Sequence, residues 1–386
     1  MVHSNPARVD RGVFKVDRKF HVGMQIYSEN ISVPLTTVHP EMSPDEAIMD
    51  LIEVPCSELP YRVMTIKADP GSRLPPQGIL RLREQIAGSR LVYGTGFGAS
   101  NIARDLGVPY ILIVECDLKT QMALMTNHIA GVPRRIVRAA KCAWQYGTGS
   151  IPEMRGAHSL HCNGYPVYDA TRRYNANRLL YLDSRMSADM IIPREDLAAR
   201  LAGRAERPLR LLFSGRYERI KGADDAVRVA VGCLRRGLDI EMHFYGQGRL
   251  RPEMELIAGK APQSGRIFIH DAVTFTQLVT IAQSFDLFVC CHGQSDPSCT
   301  YLESFGAGLP VIGYANRMWS RLCETSDAGL VFPIGSHKKV VDEVEKLLRN
   351  SAMVAAMSEK ARLFATAHCF ELEFQRRIDA LNSAMG

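Results

Sequence analysis

The sequence contains no uninterrupted apolar run of the roughly eighteen residues that a membrane-spanning helix requires. Its opening, MVHSNPARVDRG, lacks the apolar centre of a secretory signal peptide. Together these absences predict a cytoplasmic protein. A disulfide framework is missing too: the 10 cysteines are scattered through 386 residues and fall largely in apolar runs such as FVCC and IVEC, the setting of reduced, buried thiols. Nor does charge of one sign dominate. A net charge of +6 is too small and too dispersed to form a nucleic-acid surface, so no nucleic acid is expected as a partner, although it suits an anionic substrate or an anionic membrane face. What is present, 46% apolar and 23% charged residues, is ordinary globular composition, and the length favours two domains, each able to bury its own core.

Tight hairpin signals are absent as well, and their absence is informative. From about residue 208 short apolar runs (LRLLFSG, IEMHFYG, GRIFIH, DLFVCC, LPVIGY) end at polar or glycine turns and alternate with amphipathic segments. One of these, Ala223 to Arg236, sets Val227, Ala230, Val231 and Leu234 at helical spacing. Strand alternating with helix predicts a parallel sheet covered on both faces. The first half repeats the rhythm less cleanly, with candidate strands PLTTVH, YRVMTIK, RLVYG, PYILIVE, HSLHC and RLLYL. Between the halves, Pro193 to Pro208 is charged, alanine-rich and bounded by prolines, which marks a linker or hinge-side helix. The fold class expected is α/β, two doubly wound Rossmann-like domains facing across a cleft: 1–195, and 196–364, with a closing helix over about 365–386 packing back on the first. In such an arrangement ligand binds at the carboxyl ends of the strands.

Two segments there carry chemistry. In FSGRYERIKGADDAV an apolar strand ends at Gly215, and Arg216 and Lys221 follow before a helix begins near Ala223. Both cations can meet a diphosphate, the arginine with a forked donor set and the lysine as a compact charge; the plainer alternative is two surface cations flanking a turn. In FDLFVCCHGQSDPSCTYLESFGAGLPVIGY a buried strand runs into a loop, and a helix is expected to open near Pro297, capped by Asp296 or Ser295. The amides of Ser298, Cys299 and Thr300 would then face an anion, with Glu303 in reach of a vicinal diol such as ribose.

Taken in order, Gly215-Arg216, Lys221-Gly222, Gly246-Gln247-Gly248 and Glu303-Ser304-Phe305-Gly306-Ala307-Gly308-Leu309-Pro310-Val311 resemble the donor domain of the family-4 retaining glycosyltransferases, over roughly residues 208 to 350. The resemblance implies a GT-B enzyme that transfers sugar from a nucleotide-diphosphate donor to a glycan or lipid-linked acceptor. It implies Arg216 and Lys221 at the donor diphosphate, the Cys299 and Thr300 amides at phosphate, and Glu303 at the ribose. It further implies a front-face reaction in which the acceptor hydroxyl attacks from the leaving-group side. No cofactor is expected beyond the nucleotide sugar. Because two cations and a helix start stabilise charge on the leaving diphosphate, and no Asp-x-Asp occurs in a suitable place, no metal is expected either. Asp224 and Asp225 read as caps of the helix after Lys221.

The sequence also departs from that family. Where a second glutamate usually contacts the donor sugar it has Ser295, with Asp296 one position later, so a carboxylate arrives late or neutral groups such as Ser295 and Gln294 hold the sugar. The family's opening strand and glycine-rich loop are missing or irregular, because VFKVDRKFHVGMQIYSENI already reads as the following helix. After PYILIVE, where a histidine is common in the family, stand Glu115 and Asp117; Glu115 can orient an acceptor hydroxyl or cap the next helix. His161 or Asn163, on the strand HSLHC, can also face the cleft, although a lone histidine beside an apolar strand is more often structural. Over 127–147, Arg134, Arg135, Arg138 and Lys141 interleave with Ile136, Val137, Cys142 and Trp144, a basic amphipathic helix suited to peripheral contact with the inner membrane face, or simply a solvated one.

Three rivals stand beside this reading. Gly94, Gly96 and Ala99 after RLVYG, with Glu115 beyond, fit a relaxed dinucleotide fingerprint and so an NAD-dependent oxidoreductase, but that fingerprint belongs to a first strand-helix turn and two candidate strands precede it. The same architecture also serves epimerases and phosphorylases, and a non-catalytic sugar-nucleotide binder would tolerate Ser295.

Overall fold

The computed structural model describes residues 1–43, 51–67, 74–126, 129, 131–295 and 297–386. The chain divides into two compact units, Met1–Tyr181 with Glu373–Gly386, and Leu182–Leu372, whereas the sequence reading drew its boundary at 195/196.

In the first unit Arg8–Asp10 (β1), Val13–Asp17 (β2) and Leu51–Pro55 (β4) form an antiparallel sheet ordered β1-β2-β4. This corrects the reading of VFKVD as helix. Phe14 and Val16 alternate inward from β2, and Asp17 then starts the helix Arg18–Asn30 by accepting from the Phe20 amide at 3.1 Å. The parallel sheet comprises Thr36–Pro40 (β3), Arg62–Ile66 (β5), Val92–Gly94 (β6), Tyr110–Val114 (β7), Ser159–Asn163 (β8) and Arg178–Tyr181 (β9). Its first strand is irregular rather than missing: Val2 bridges Val38 and Gly94, both in parallel sense. The bonds are Val2 N to Tyr93 O at 2.8 Å and His3 N to Val38 O at 3.0 Å. The order is therefore β5-β3-Val2-β6-β7-β8-β9. One bridging residue carries no periodicity, which hides this strand from a sequence pattern.

From the closing segment Phe374 packs on Tyr27 at 5.2 Å between ring centroids, and the Arg377 guanidinium stacks over Phe374 and Tyr181. A side chain at Gly23 would collide with Phe374, 2.6 Å from its built Cβ, so the glycine in the helix Arg18–Asn30 is where the closing segment docks.

The second unit is one parallel sheet of Leu209–Ser214 (β10), Ile240–Tyr245 (β11), Ile267–His270 (β12), Leu287–Cys290 (β13), Val311–Tyr314 (β14) and Gly329–Phe332 (β15). Its order, β12-β11-β10-β13-β14-β15, is the doubly wound 3-2-1-4-5-6 arrangement. β13 and β14 are buried along their whole length, as expected of strands covered on both faces. The helix Ala223–Arg235 lays Ala226, Val227, Ala230, Val231 and Leu234 against this sheet's core. Trp319, fully buried, stacks on Tyr301 with centroids 5.4 Å apart and donates its indole N–H to the Leu330 carbonyl, tying β15 to the helix Thr300–Gly306.

Candidate active site

In a doubly wound sheet the crevice opens where the strand order reverses, here between β10 and β13. The turn after β10 carries Gly215, Arg216 and Lys221, and the loop after β13 carries residues 291–295 and 297–299. Close backbone approach joins them. Gly222 has φ +63° and a Cβ built on it would lie 2.0 Å from the Cys291 carbonyl oxygen, while the Gly293 amide donates to Ile220 O at 3.2 Å. From the other side Gly246 packs so tightly that its Cβ would sit 1.9 Å from Gly215 O, and Tyr217 N donates to Gln247 O at 2.8 Å. The Gly-x-Gly after β11 thus braces the Gly-Arg turn after β10.

Within this frame Arg216 is exposed, 3.9 Å from the Glu218 carboxylate, a distance at which solvent screens most of the attraction. Lys221 ends a short turn, Arg219–Lys221, and is buried. Asp224 and Asp225 do not cap through their side chains: Asp224 accepts from Arg219 at 3.2 Å and Arg228 at 2.8 Å, and Asp225 accepts from Arg228 and the Tyr314 hydroxyl, both at 2.9 Å. The next helix opens later than its proline implies, at Thr300 with Cys299 as its N-cap and no side-chain capping bond. Ser295 is not its cap, since the Ser295 hydroxyl accepts from the Arg317 amide at 3.1 Å at the start of the following helix. Asp296 lies outside the described residues. The Ser298 hydroxyl donates to Thr300 Oγ1 at 3.1 Å, and the Cys299 thiol donates to Asp183 Oδ2 at 3.6 Å.

Glu303 is nearly buried and already paired. Arg185 Nε and Nη2 both donate to its Oε1, at 2.9 and 2.6 Å. Arg185 had no sequence signal, since it stands 118 residues away in a stretch without motif. His292 also gave no signal, although it lies within the segment FDLFVCCHGQSDPSC, because a single histidine after an apolar strand has no spacing that marks it. It is fully buried beside Lys221, both ring nitrogens lack a partner among the described residues, and burial, with the lysine charge second, pushes its pKa well below the ordinary imidazole value. The Gln294 carbonyl oxygen is similarly unpartnered among those residues.

The first-unit candidates separate cleanly. Glu115 is exposed just past β7, and the cap of the next helix comes from Asp117, whose Oδ1 accepts from the Thr120 amide at 3.0 Å. His161 is structural: it is fully buried, its Nδ1 lies 3.2 Å from the Tyr93 hydroxyl, and burial takes its pKa down to about 3. The glycine loop Gly94–Gly98 follows β6, the strand after the switch, so it is not the first strand-helix turn that a dinucleotide fingerprint requires.

Two parallel doubly wound sheets define an architecture shared with other solved structures. Anabaena HepE in complex with UDP covers 99% of this chain and 99% of its own at a TM-score of 0.65 and 10% identity. WaaG, a glycosyltransferase involved in lipopolysaccharide biosynthesis, covers 98% of this chain and 99% of its own at a TM-score of 0.62 and 14% identity. The class is therefore GT-B. Residues 198–364 match the family described as glycosyl transferases group 1. Alpha-D-kanosaminyltransferase of Streptomyces kanamyceticus is 25% identical over 295 residues, 73% of each chain. The chain is a glycosyltransferase whose residues 198–364 are similar to the group 1 family.

Proposed function

We propose that the chain is a retaining enzyme that moves a sugar from a nucleoside-diphosphate donor to a glycan or lipid-linked acceptor, with no metal or cofactor. The carrying observation is the union of two loops at the switch point, where Gly222 against Cys291 O holds buried Lys221 beside the loop after β13. In this reading Arg216 and Lys221 receive the diphosphate, with the backbone of Gly215 and Gly246 shaping the turn. The amides of Ser298, Cys299 and Thr300 face phosphate, Glu303 takes the ribose diol, Ser295 and Asp296 border the sugar, and Glu115 orients the acceptor hydroxyl.

As the bond from the anomeric carbon to the leaving phosphate oxygen breaks, an acceptor oxygen bonds to that carbon on the same face. The acceptor's proton passes to the departing oxygen. Charge grows on the diphosphate in the transition state, so fixed cations there lower the barrier more than they strengthen ground-state binding. The nucleotide donor is supported by the order of the motifs and by the UDP in the HepE structure; retention is supported by the family resemblance alone.

The acceptor side is read from the helix Val132–Gln145, whose Ile136, Val137 and Trp144 are mostly exposed, while the sequence holds no Asp or Glu from Leu118 to Pro152. No helix among the described residues is long and apolar enough to cross a membrane. A helix of this kind rests on an anionic lipid surface, which suits a lipid-linked acceptor at the inner membrane face.

Calorimetric titration with UDP, GDP, ADP and NAD tests the donor reading. One nucleoside diphosphate is expected to bind, and Lys221→Ala and Arg216→Ala are each expected to weaken it by about tenfold, since a hydrogen bond to a charged group contributes about 1.5–3 kcal/mol. Binding of NAD in preference to every diphosphate, or parent affinity in both variants, would overturn it.

A further inference from the structure

Glu303 sits in the loop-helix segment that the proposed function gives to the donor, yet its carboxylate meets a guanidinium from the stretch that opens the second unit. That stretch is fastened to the helix Thr300–Gly306 at successive points. Asp183 accepts from the Cys299 thiol, Met186 fills the space that a side chain at Gly306 would need (2.3 Å from its built Cβ to Met186 Cε), and the Ile192 amide donates to Gly306 O at 2.8 Å. Phe370 N in turn donates to Met186 O at 2.7 Å. Between these fixed points Arg185 places its guanidinium over the Phe275 ring, 4.3 Å from the centroid. Phe275 is itself held at the start of the helix Phe275–Ala282 by the capping box of Thr274 and Gln277.

The direction of the pair matters. Both arginine donors end on one carboxylate oxygen, Oε1, and Oε2 accepts no hydrogen bond among the described residues. Glu303 is thereby oriented with one oxygen spent and one available. The adjacent positive charge also offsets repulsion between a nearly buried carboxylate and an arriving diphosphate.

We propose that Arg185 is a positioning residue for the donor: it holds Glu303 so that Oε2 accepts from the ribose hydroxyls, and it cancels the carboxylate's charge beside the nucleotide. This rests on the donor reading given above. A purely structural role would weaken every ligand of the site alike, whereas positioning of Glu303 is felt only by ligands that carry the hydroxyls Glu303 accepts from.

The experiment uses the full chain and calorimetry, with UDP, GDP and ADP and the 2′-deoxy form of whichever binds the parent most tightly. Arg185→Met is expected to weaken the ribonucleotide by about tenfold or more and to change the 2′-deoxy form far less, with Arg185→Lys in between because it keeps the charge and loses the fork. Combined with Glu303→Gln, Arg185→Met is expected to add little further loss, since both act through one contact. Equal loss for the ribo and deoxy ligands, or losses that multiply in the double variant, would overturn the positioning role while leaving the donor reading intact. Failure of every diphosphate to bind the parent would overturn both. An Arg185→Met chain that melts well below the parent and also loses the deoxy ligand would assign Arg185 to the fold alone, with Arg185→Lys, which preserves the ion pair, as the second check.

Discussion

Two glycines separate backbone strain from crowding. Gly222 and Gly237 both have left-handed backbones, at φ +63° and +70°, yet a Cβ at Gly222 would meet Cys291 O at 2.0 Å while one at Gly237 would meet nothing within 4 Å. Gly237→Ala should therefore lose only the left-handed penalty, about 1–2 kcal/mol, and bind whichever nucleoside diphosphate the parent binds with the parent's affinity. Gly222→Ala should lose that and also force apart a backbone approach that cannot yield without moving the loop after β13. Urea unfolding should show it less stable than Gly237→Ala by at least about 1 kcal/mol, with nucleotide binding weakened as well. Equal stability of the two alanine variants would mean that the loops after β10 and β13 are not locked together at this point. The same crowding explains what a reader of the sequence sees at this scale. Gly222 and the Gly-x-Gly stand out because close approach permits almost nothing else, and Gly215 because of its left-handed backbone at φ +144°, whereas Arg185 takes part through distance in space, which leaves no local pattern, and His292, a single histidine inside the loop segment, is singled out by its burial alone.

Elements differ in how far their faces announce them. β10, β13 and β14 were legible because two-sided burial writes near-continuous apolar runs, and β11 by the alternation of inward Ile240, Met242 and Phe244; β15, with Val331 exposed, offers no such run. VFKVD was absorbed into the helix that follows it because five alternating residues joined to an amphipathic run offer no break, and only Asp17 as a cap marks the change. The helix start near Pro297 was misplaced by one turn, since proline tolerates the residues before a helix as readily as its first turn. The helix Val132–Gln145 was legible as an element, and its outward face carries the next prediction. Val137 is 70% exposed and Trp144 67%, an arrangement that a protein in water has no reason to keep unless something covers it. Flotation with vesicles of one-third phosphatidylserine should retain the chain, and Ile136→Ser with Trp144→Ser should cut retention by about tenfold or more. Arg134→Gln with Arg135→Gln should cut it comparably, near 1 kcal/mol per charge, with an effect that fades in high salt. Equal binding to neutral phosphatidylcholine, or parent retention in the Ser variant, would count against an anionic membrane as the partner.

Across the whole molecule, imidazoles buried without charge set an acid limit on stability. His39 and His161 are fully buried, and burial brings their pKa values down to about 4 and about 3. The unfolded chain returns each to about 6.5, so between that value and the folded one the unfolded state binds more protons and stability falls with falling pH. The contribution is complete above pH 6.5 and is lost progressively as the pH drops towards the folded values. At pH 5 each imidazole has lost about 1.5 pH units' worth, or about 2 kcal/mol, a serious fraction of the ~5–15 kcal/mol typical of a folded domain. Most carboxylates remain ionised over this interval, so the slope comes from the buried imidazoles together with the buried amino terminus, whose pKa burial lowers to about 5. Denaturant unfolding at pH 7.5 and pH 5.0 should accordingly show a loss of several kcal/mol in the parent. His161→Gln cannot titrate; whatever its stability at pH 7.5, the drop to pH 5.0 should shrink by about 2 kcal/mol. Because that comparison is between two pH values of one variant, removal of the hydrogen bond to the Tyr93 hydroxyl cancels. A pH drop in His161→Gln as large as the parent's would show that His161 is protonated in the folded chain, and that the strand carrying it is wetter than its burial implies.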